Sequence, residues 1–116
     1  MPRNIKGKIV LVPFTFDDLL AIKDRPALCL SRVTGPHRQV MVAYISNKMP
    51  TSPLASDLIL EATRSDFGPT GLQVSSVIRL HQVTTIRVEM IVRELGGLSP
   101  ELEKEVEAKL RALLGL

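Results

Sequence analysis

From Gly7 to Leu95 the apolar residues come in short runs closed by proline, glycine, asparagine or serine, and at Ser99 their spacing changes. That pattern allows few folds. Gly7-Lys8-Ile9-Val10-Leu11-Val12 is rich in β-branched residues and reads as a strand, which Pro13 ends or turns into an edge. Pro26 to Ser31 reads as a second strand, and Thr34-Gly35-Pro36-His37-Arg38 as a turn. Gln39 to Ser46 is apolar enough to be a central strand. Asn47 to Asp57 is a loop by composition, Leu58-Ile59-Leu60 a short strand, and Arg64 to Gly71 a second loop. Ser75–Leu80 and Thr84–Val88 read as two further strands, with Met90–Leu95 as another. Ser99 is placed to cap a helix that has Pro100 at its first position, acidic residues early, Lys109 and Arg111 late, and Gly115 as terminator. Leu102, Val106, Leu110 and Leu113 then fall along one helical face. Many short strands and one terminal helix predict a mainly β fold, a small barrel closed on one side by an amphipathic helix. With 116 residues, the chain is expected to be a single domain over residues 1–116.

Composition limits what such a barrel can do. Aromatics are 3% of residues, so a nucleic-acid surface cannot rest on stacked aromatic platforms. The net charge of +3 and pI of about 9.4 allow a polyanionic partner without requiring one. Cys29 is the single cysteine, which excludes an internal disulfide and points to a reducing compartment; within Ala-Leu-Cys-Leu it reads as a small core residue. Cys29, His37 and His81 have no zinc spacing, so neither metal nor cofactor is expected. The apolar run after the basic N-terminus ends at Phe14 and contains Pro13, too short for a secretion signal or a membrane span. The expectation is a soluble cytoplasmic protein with no membrane partner.

Lys23-Asp24-Arg25-Pro26-Ala27-Leu28 carries the chemistry. Pro26 disfavours the α region for Arg25, which should sit extended at the mouth of the strand. A guanidinium there can grip two phosphate oxygens at once, or it can be an ordinary solvated surface charge. The preceding loop, about Thr15 to Asp24, holds Leu19, Leu20, Ala21 and Ile22 and should either pack over the barrel or cover a site.

Taken in order, the opening strand, the Arg-Pro block at 23–28, Val42-Ala43-Tyr44-Ile45-Ser46-Asn47, Gly71-Leu72 through Ser76-Val77-Ile78-Arg79-Leu80, and the tail from Leu95 to Glu101 resemble the MazF/PemK toxin family of bacterial endoribonucleases. The resemblance implies an SH3-like β-barrel with a C-terminal helix, usually dimeric. It also implies metal-independent cleavage of single-stranded RNA by attack of the ribose 2′-hydroxyl, and an acidic antitoxin as partner. Arg25 matches the family's arginine before proline, and Ser46 the Thr or Ser closing its third strand; these are the expected catalytic pair. Lys23, Asn47, Lys48, Arg79 and His81 are the expected RNA contacts. The chain departs from the family at Ser75, at His81-Gln82, and in the first loop, where Asp17 and Asp18 precede the apolar run.

Plainer readings stand beside these. Ser46 can be a strand-end hydroxyl satisfying a turn. His81 can be a solvated or structural histidine instead of a general base, and His37 with Arg32 and Arg38 a solvated turn cluster. Two functions therefore compete: an RNA-cleaving toxin, or a non-catalytic relative that binds protein or nucleic acid on the same barrel.

Overall fold

The computed structural model describes residues 4–15 and 22–116. Six strands form one antiparallel sheet: β1 (Lys8–Thr15), β2 (Ile22–Cys29), β3 (Gln39–Ser46), β4 (Asp57–Leu60), β5 (Ser76–Arg87) and β6 (Arg93–Gly97). Their spatial order is β4-β5-β3-β2-β1-β6. The sheet curls into a half-barrel, and helix α1 (Pro100–Leu114) follows the last strand. Among the described residues no helix is long and apolar enough to cross a membrane.

The apolar runs of β1 and β2 are continuous, not alternating, because both faces of the sheet are covered. Ile9, Leu28, Ile45, Leu60, Ile78 and Leu80 form one core with Leu102 and Val106 of α1. Their strand neighbours Val10, Ala27 and Cys29 point the other way, into a second core with Ile5, Val12, Val40, Val42 and Val88. Cys29 is buried as its sequence context implies, and burial, assisted by the Glu94 carboxylate, pushes its thiol up to about 11.

Two prolines lie inside strands, and the pairing explains both. Pro13 pairs with Asp24 of β2, but β6 pairs with β1 only from Lys8 to Leu11, so the strand has one neighbour at Pro13. Pro26 pairs with Leu11, while β3 pairs with β2 only from Ala27 to Cys29. A residue without a backbone N–H is tolerated where one side of the strand is unpaired. The edge alternative for Pro13 therefore holds, and the start of the second strand, expected at Pro26, is corrected. β1 continues past Pro13, and β2 begins at Ile22, four residues before Pro26, because the hairpin ladder carries Lys23, Asp24 and Arg25 in register with Phe14, Pro13 and Val12. The apolar loop expected at Leu19, Leu20 and Ala21, with Asp17 and Asp18 before it, lies outside the described residues, as does the side chain of Ile22.

β5 is a further correction: the two strands expected at 75–80 and 84–88 are one. Tyr44 pairs with Arg79 but its neighbour Ala43 pairs with Val83, so residues 80–82 are absorbed in an irregularity. The strand bends there, as bulged strands do. Its first half is buried and its second largely exposed, which is why the polar His81-Gln82 reads as a break.

The helix follows its local signals. Ser99 Oγ accepts from Leu102 N at 3.1 Å, Pro100 opens the first turn, and Gly115 ends the helix at φ 73°. Leu102 and Val106 are buried and Leu110 packs on the same core, but Leu113 is 44% exposed. The apolar stripe outruns the sheet it covers. At the other closure of the barrel, Gly71 (φ 76°) and Gly96 let a 3₁₀ turn, Gly68–Thr70, press against β6. A Cβ on Gly71 would run into the Leu95 carbonyl, and one on Gly96 into the Pro69 and Thr70 backbone.

Candidate active site

Strand register decides which candidate side chains can meet. Ala27 is opposite Tyr44, and Val12 is opposite Arg25. Directly opposed residues share a face and the face alternates along each strand, so Arg25, Tyr44 and Ser46 project from the same side. Phe14, two residues after Val12, lies on that side too, and its ring meets Tyr44 edge-on with centroids 5.2 Å apart. Arg25 is half-buried, above Val12 of the second core. Ser46 Oγ accepts from Lys48 N at 3.1 Å. The hydroxyl therefore does serve a turn, and its own O–H is still available as a donor.

Across β3, Tyr44 pairs with Arg79, which places Arg79 on the same face. Arg79 is not a loose cation. Its Nε donates to Asp57 Oδ1 at 3.0 Å and its Nη2 to Oδ2 at 3.4 Å. The Asp57 side chain is fully buried and also accepts from Leu54 N at 2.8 Å. Burial alone would push this carboxyl up; the Leu54 N–H, the Arg79 guanidinium and His81 outweigh it and hold it below the ordinary carboxylate range. His81 Nδ1 lies 2.8 Å from Ser56 Oγ and 3.9 Å from Asp57 Oδ1. Only Nε2 is left to meet a ligand. Ser75, where the family departs, caps a turn by accepting from Ala62 N at 2.7 Å.

A cleft of about 330 Å³ opens where β2 and β3 leave the barrel and β6 and residues 71–76 close it. Of the expected site residues, Arg25 and Asn47 line it; Lys23, Ser46, Lys48, Arg79 and His81 do not. Its walls are apolar, from Leu11, Pro26, Ile45, Leu72 and Leu95, and its polar groups come from Arg25, Asn47, Gln73, Ser76 and Arg93. Arg93 and Gln73, which line the cleft, were not among the candidates that the sequence offered. Arg93 is opposite Leu11 on β1 and Arg25 is opposite Val12, so by strand alternation the two project from opposite faces of the sheet. A second groove, about 300 Å³, runs beside α1 and is lined by leucines together with Lys6, Glu103 and Arg111. Its charges are mixed, and it lies with Cys29, away from Arg25.

The chain matches the PemK-like, MazF-like toxins of type II toxin–antitoxin systems over residues 5–114. Among solved structures it is similar to the Mycobacterium tuberculosis toxin MazF-mt6, at 27% identity and a TM-score of 0.70, covering 94% of this chain and 97% of that one. It is also similar to a chain of the MazE–MazF crystal structure from Deinococcus radiodurans, at 22% identity and a TM-score of 0.74, covering 100% and 99%. An endoribonuclease in complex with its cognate antitoxin, from mycobacterial species, matches at 16% identity and a TM-score of 0.70, covering 97% and 96%. At 22% and 16% identity the likeness is one of fold. No curated protein matches the chain. Because the family match spans every strand and the helix, the chain belongs to the PemK-like, MazF-like toxins of type II toxin–antitoxin systems.

Proposed function

We propose that this protein is the toxin of a toxin–antitoxin pair and that it cleaves single-stranded RNA without a metal ion, using Arg25 and Ser46. The observation that carries this reading is the register that puts both side chains on one face, at the ends of adjacent strands. In the proposed step the ribose 2′-oxygen attacks phosphorus and loses its proton. The bond from phosphorus to the 5′-oxygen breaks, and that oxygen takes up a proton. The products are a 2′,3′-cyclic phosphate and a 5′-hydroxyl end. Negative charge grows on the non-bridging oxygens, where the Arg25 guanidinium can donate two hydrogen bonds. Donors aimed at developing charge are each worth about 10²–10³ in rate. Ser46, held by Lys48 N, can donate its O–H to the phosphate or orient the 2′-hydroxyl; it is too weak a base to act alone.

The same reading includes a homodimer, an acidic antitoxin that covers the RNA site, and action in the cytoplasm. Lys23, Asn47, Lys48, Arg79 and His81 remain the proposed RNA contacts, with Arg79 contributing only what its pairing with Asp57 leaves over. The tie of Ser46 to its turn favours the second reading, a binding module without catalysis.

Incubation of the purified protein with long single-stranded RNA in EDTA tests the proposal. Cleavage should persist, and the fragments should accept label from polynucleotide kinase without prior phosphatase treatment. Loss of cleavage in EDTA, or 5′-phosphate ends, refutes the mechanism.

A further inference from the structure

We propose that Arg79 and His81, held in place by Asp57 and Ser56, form a second phosphate subsite that binds one phosphate of the RNA together with a proton on His81, an inference that rests on the ribonuclease reading. The register puts this subsite on the face of Ser46. Ser46 pairs with Val77 and Tyr44 with Arg79, so Arg79 stands two residues, about 7 Å, along the sheet from the row of Ser46. Asp57 pairs with Arg79 from the outer strand β4. RNA that runs along this face from the phosphate at Ser46 brings a neighbouring phosphate to Arg79. His81 is also a position where the chain departs from its family.

The donors are fixed and still reach solvent. Arg79 Nε and His81 Nδ1 lie 3.0 and 3.9 Å from the same oxygen, Asp57 Oδ1, so guanidinium and imidazole stand side by side. Asp57 engages Arg79 through Nε and Nη2, and Nη1 has no hydrogen bond among the described residues. Ser56 Oγ holds His81 Nδ1 at 2.8 Å. Its hydroxyl can donate to a neutral ring or accept from a protonated one, so the ring keeps its place in both states. Ser56 is itself anchored, because its carbonyl accepts from Leu80 N at 3.1 Å. The Arg79 and His81 side chains are 26% and 27% exposed, whereas that of Asp57 is fully buried. An anion from solvent therefore meets the donors and not the carboxylate.

Charge makes the subsite depend on pH. Burial works against the Asp57 charge, but the Leu54 N–H, Arg79 and His81 outweigh it, and the carboxylate cancels Arg79. With His81 neutral the cluster has no net charge to offer a phosphate; with His81 protonated it has one positive charge. From the elements packed against it, β3 contributes Tyr44, opposite Arg79, and α1 contributes Lys109, whose Nζ donates to the Ala55 carbonyl at 3.0 Å. Neither adds a carboxylate. Histidine changes its charge between about pH 5 and 8. A phosphate that prefers the charged ring must, by reciprocity, take up a proton as it binds.

The test separates binding from cleavage. A fluorescein-labelled 2′-fluoro RNA 12-mer of random sequence, which lacks the attacking hydroxyl, is titrated at pH 6 and pH 8 with the parent, His81→Gln and, as a control, His37→Gln in the exposed turn before β3. The parent and His37→Gln should bind about tenfold more tightly at pH 6 than at pH 8, and His81→Gln about equally at both. At pH 6 His81→Gln should flatten the slope of log affinity against log salt by about 0.7, the loss of one phosphate contact on a single strand, and at pH 8 it should match the parent. Calorimetry at pH 7 in two buffers of unlike ionisation enthalpy should show proton uptake on binding in the parent and in His37→Gln, whose one remaining histidine is His81. That measurement decides the matter even if His81→Gln does not fold. The same pH dependence in parent and His81→Gln, or binding without proton uptake in His37→Gln, overturns the inference even when the RNA is cleaved. If the parent cleaves nothing but binds the 12-mer with this dependence on His81, the ribonuclease reading fails and the subsite stands.

Discussion

The buried Asp57 allows a stability prediction that can be worked from its contacts. Asp57→Asn removes the charge from a fully buried carboxylate that takes two bonds from Arg79 and one from Leu54 N. Hydrogen bonds to charged groups are worth about 1.5–3 kcal/mol. Breaking a fully buried pair costs about 3–5 kcal/mol, but the Arg79 side chain is 26% exposed and can recover water. The asparagine oxygen can still accept from Leu54 N. We therefore expect a loss of about 2 kcal/mol at pH 7, and about 3 kcal/mol for Asp57→Ala, which also orphans the Leu54 N–H. The smaller loss corresponds to a drop in Tm of about 8 °C in a domain of this size. The sign with pH follows from the direction of the shift. A carboxyl held below its unfolded pKa contributes its stability above that unfolded value, near 4, and loses it as pH falls through the folded value. Denaturant unfolding of parent and Asp57→Asn at pH 7 and pH 2.5 should show the gap between them shrinking at the acidic end. A gap below about 0.5 kcal/mol at pH 7, or one that does not shrink on acidification, would refute the reasoning.

Arg25→Lys should reduce cleavage by about 10² or more while leaving the Tm near the parent's, because a lysine keeps the charge but not the two-pronged donor; initial rates on a fixed RNA measure it. Ser46→Ala should be similarly severe and Ser46→Thr mild, since only threonine keeps the hydroxyl; parent rates in both Arg25→Ala and Ser46→Ala would place the chemistry elsewhere. Cys29, with its thiol pushed up to about 11, should be about 10⁻³ ionised at pH 8 and react with iodoacetamide at that pH only as fast as the protein unfolds, which mass spectrometry against a denaturant series will show.

Elements with strong local signals were legible in the sequence. β3 runs from Gln39 to Ser46 as its apolar pattern implies, and α1 starts at Pro100 because Ser99 and Pro100 act within one turn of each other. What was missed depends on partners far along the chain. β2 reaches back to Ile22 because β1 pairs with it, although Lys23-Asp24-Arg25 alone reads as a loop. β5 is a single strand because β3 pairs with both of its halves across the bend. Leu113 has the right helical phase, but no strand lies beneath it.

The site shows the same division. Arg79 and Arg93 look alike in sequence, each a basic residue among apolar strand positions. Their difference lies in what the fold sets opposite them. β4 pairs with β5 so that Asp57 faces Arg79, and the buried carboxylate claims the guanidinium. β6 pairs with β1 so that the apolar Leu11 faces Arg93, and that guanidinium is left to the cleft. Asp57 reads in sequence as the end of a polar loop, and nothing local marks it as the partner of a residue on another strand. Whether an arginine is held by a carboxylate is thus a property of the strand pairing, and on this fold it distinguishes Arg79 from Arg93.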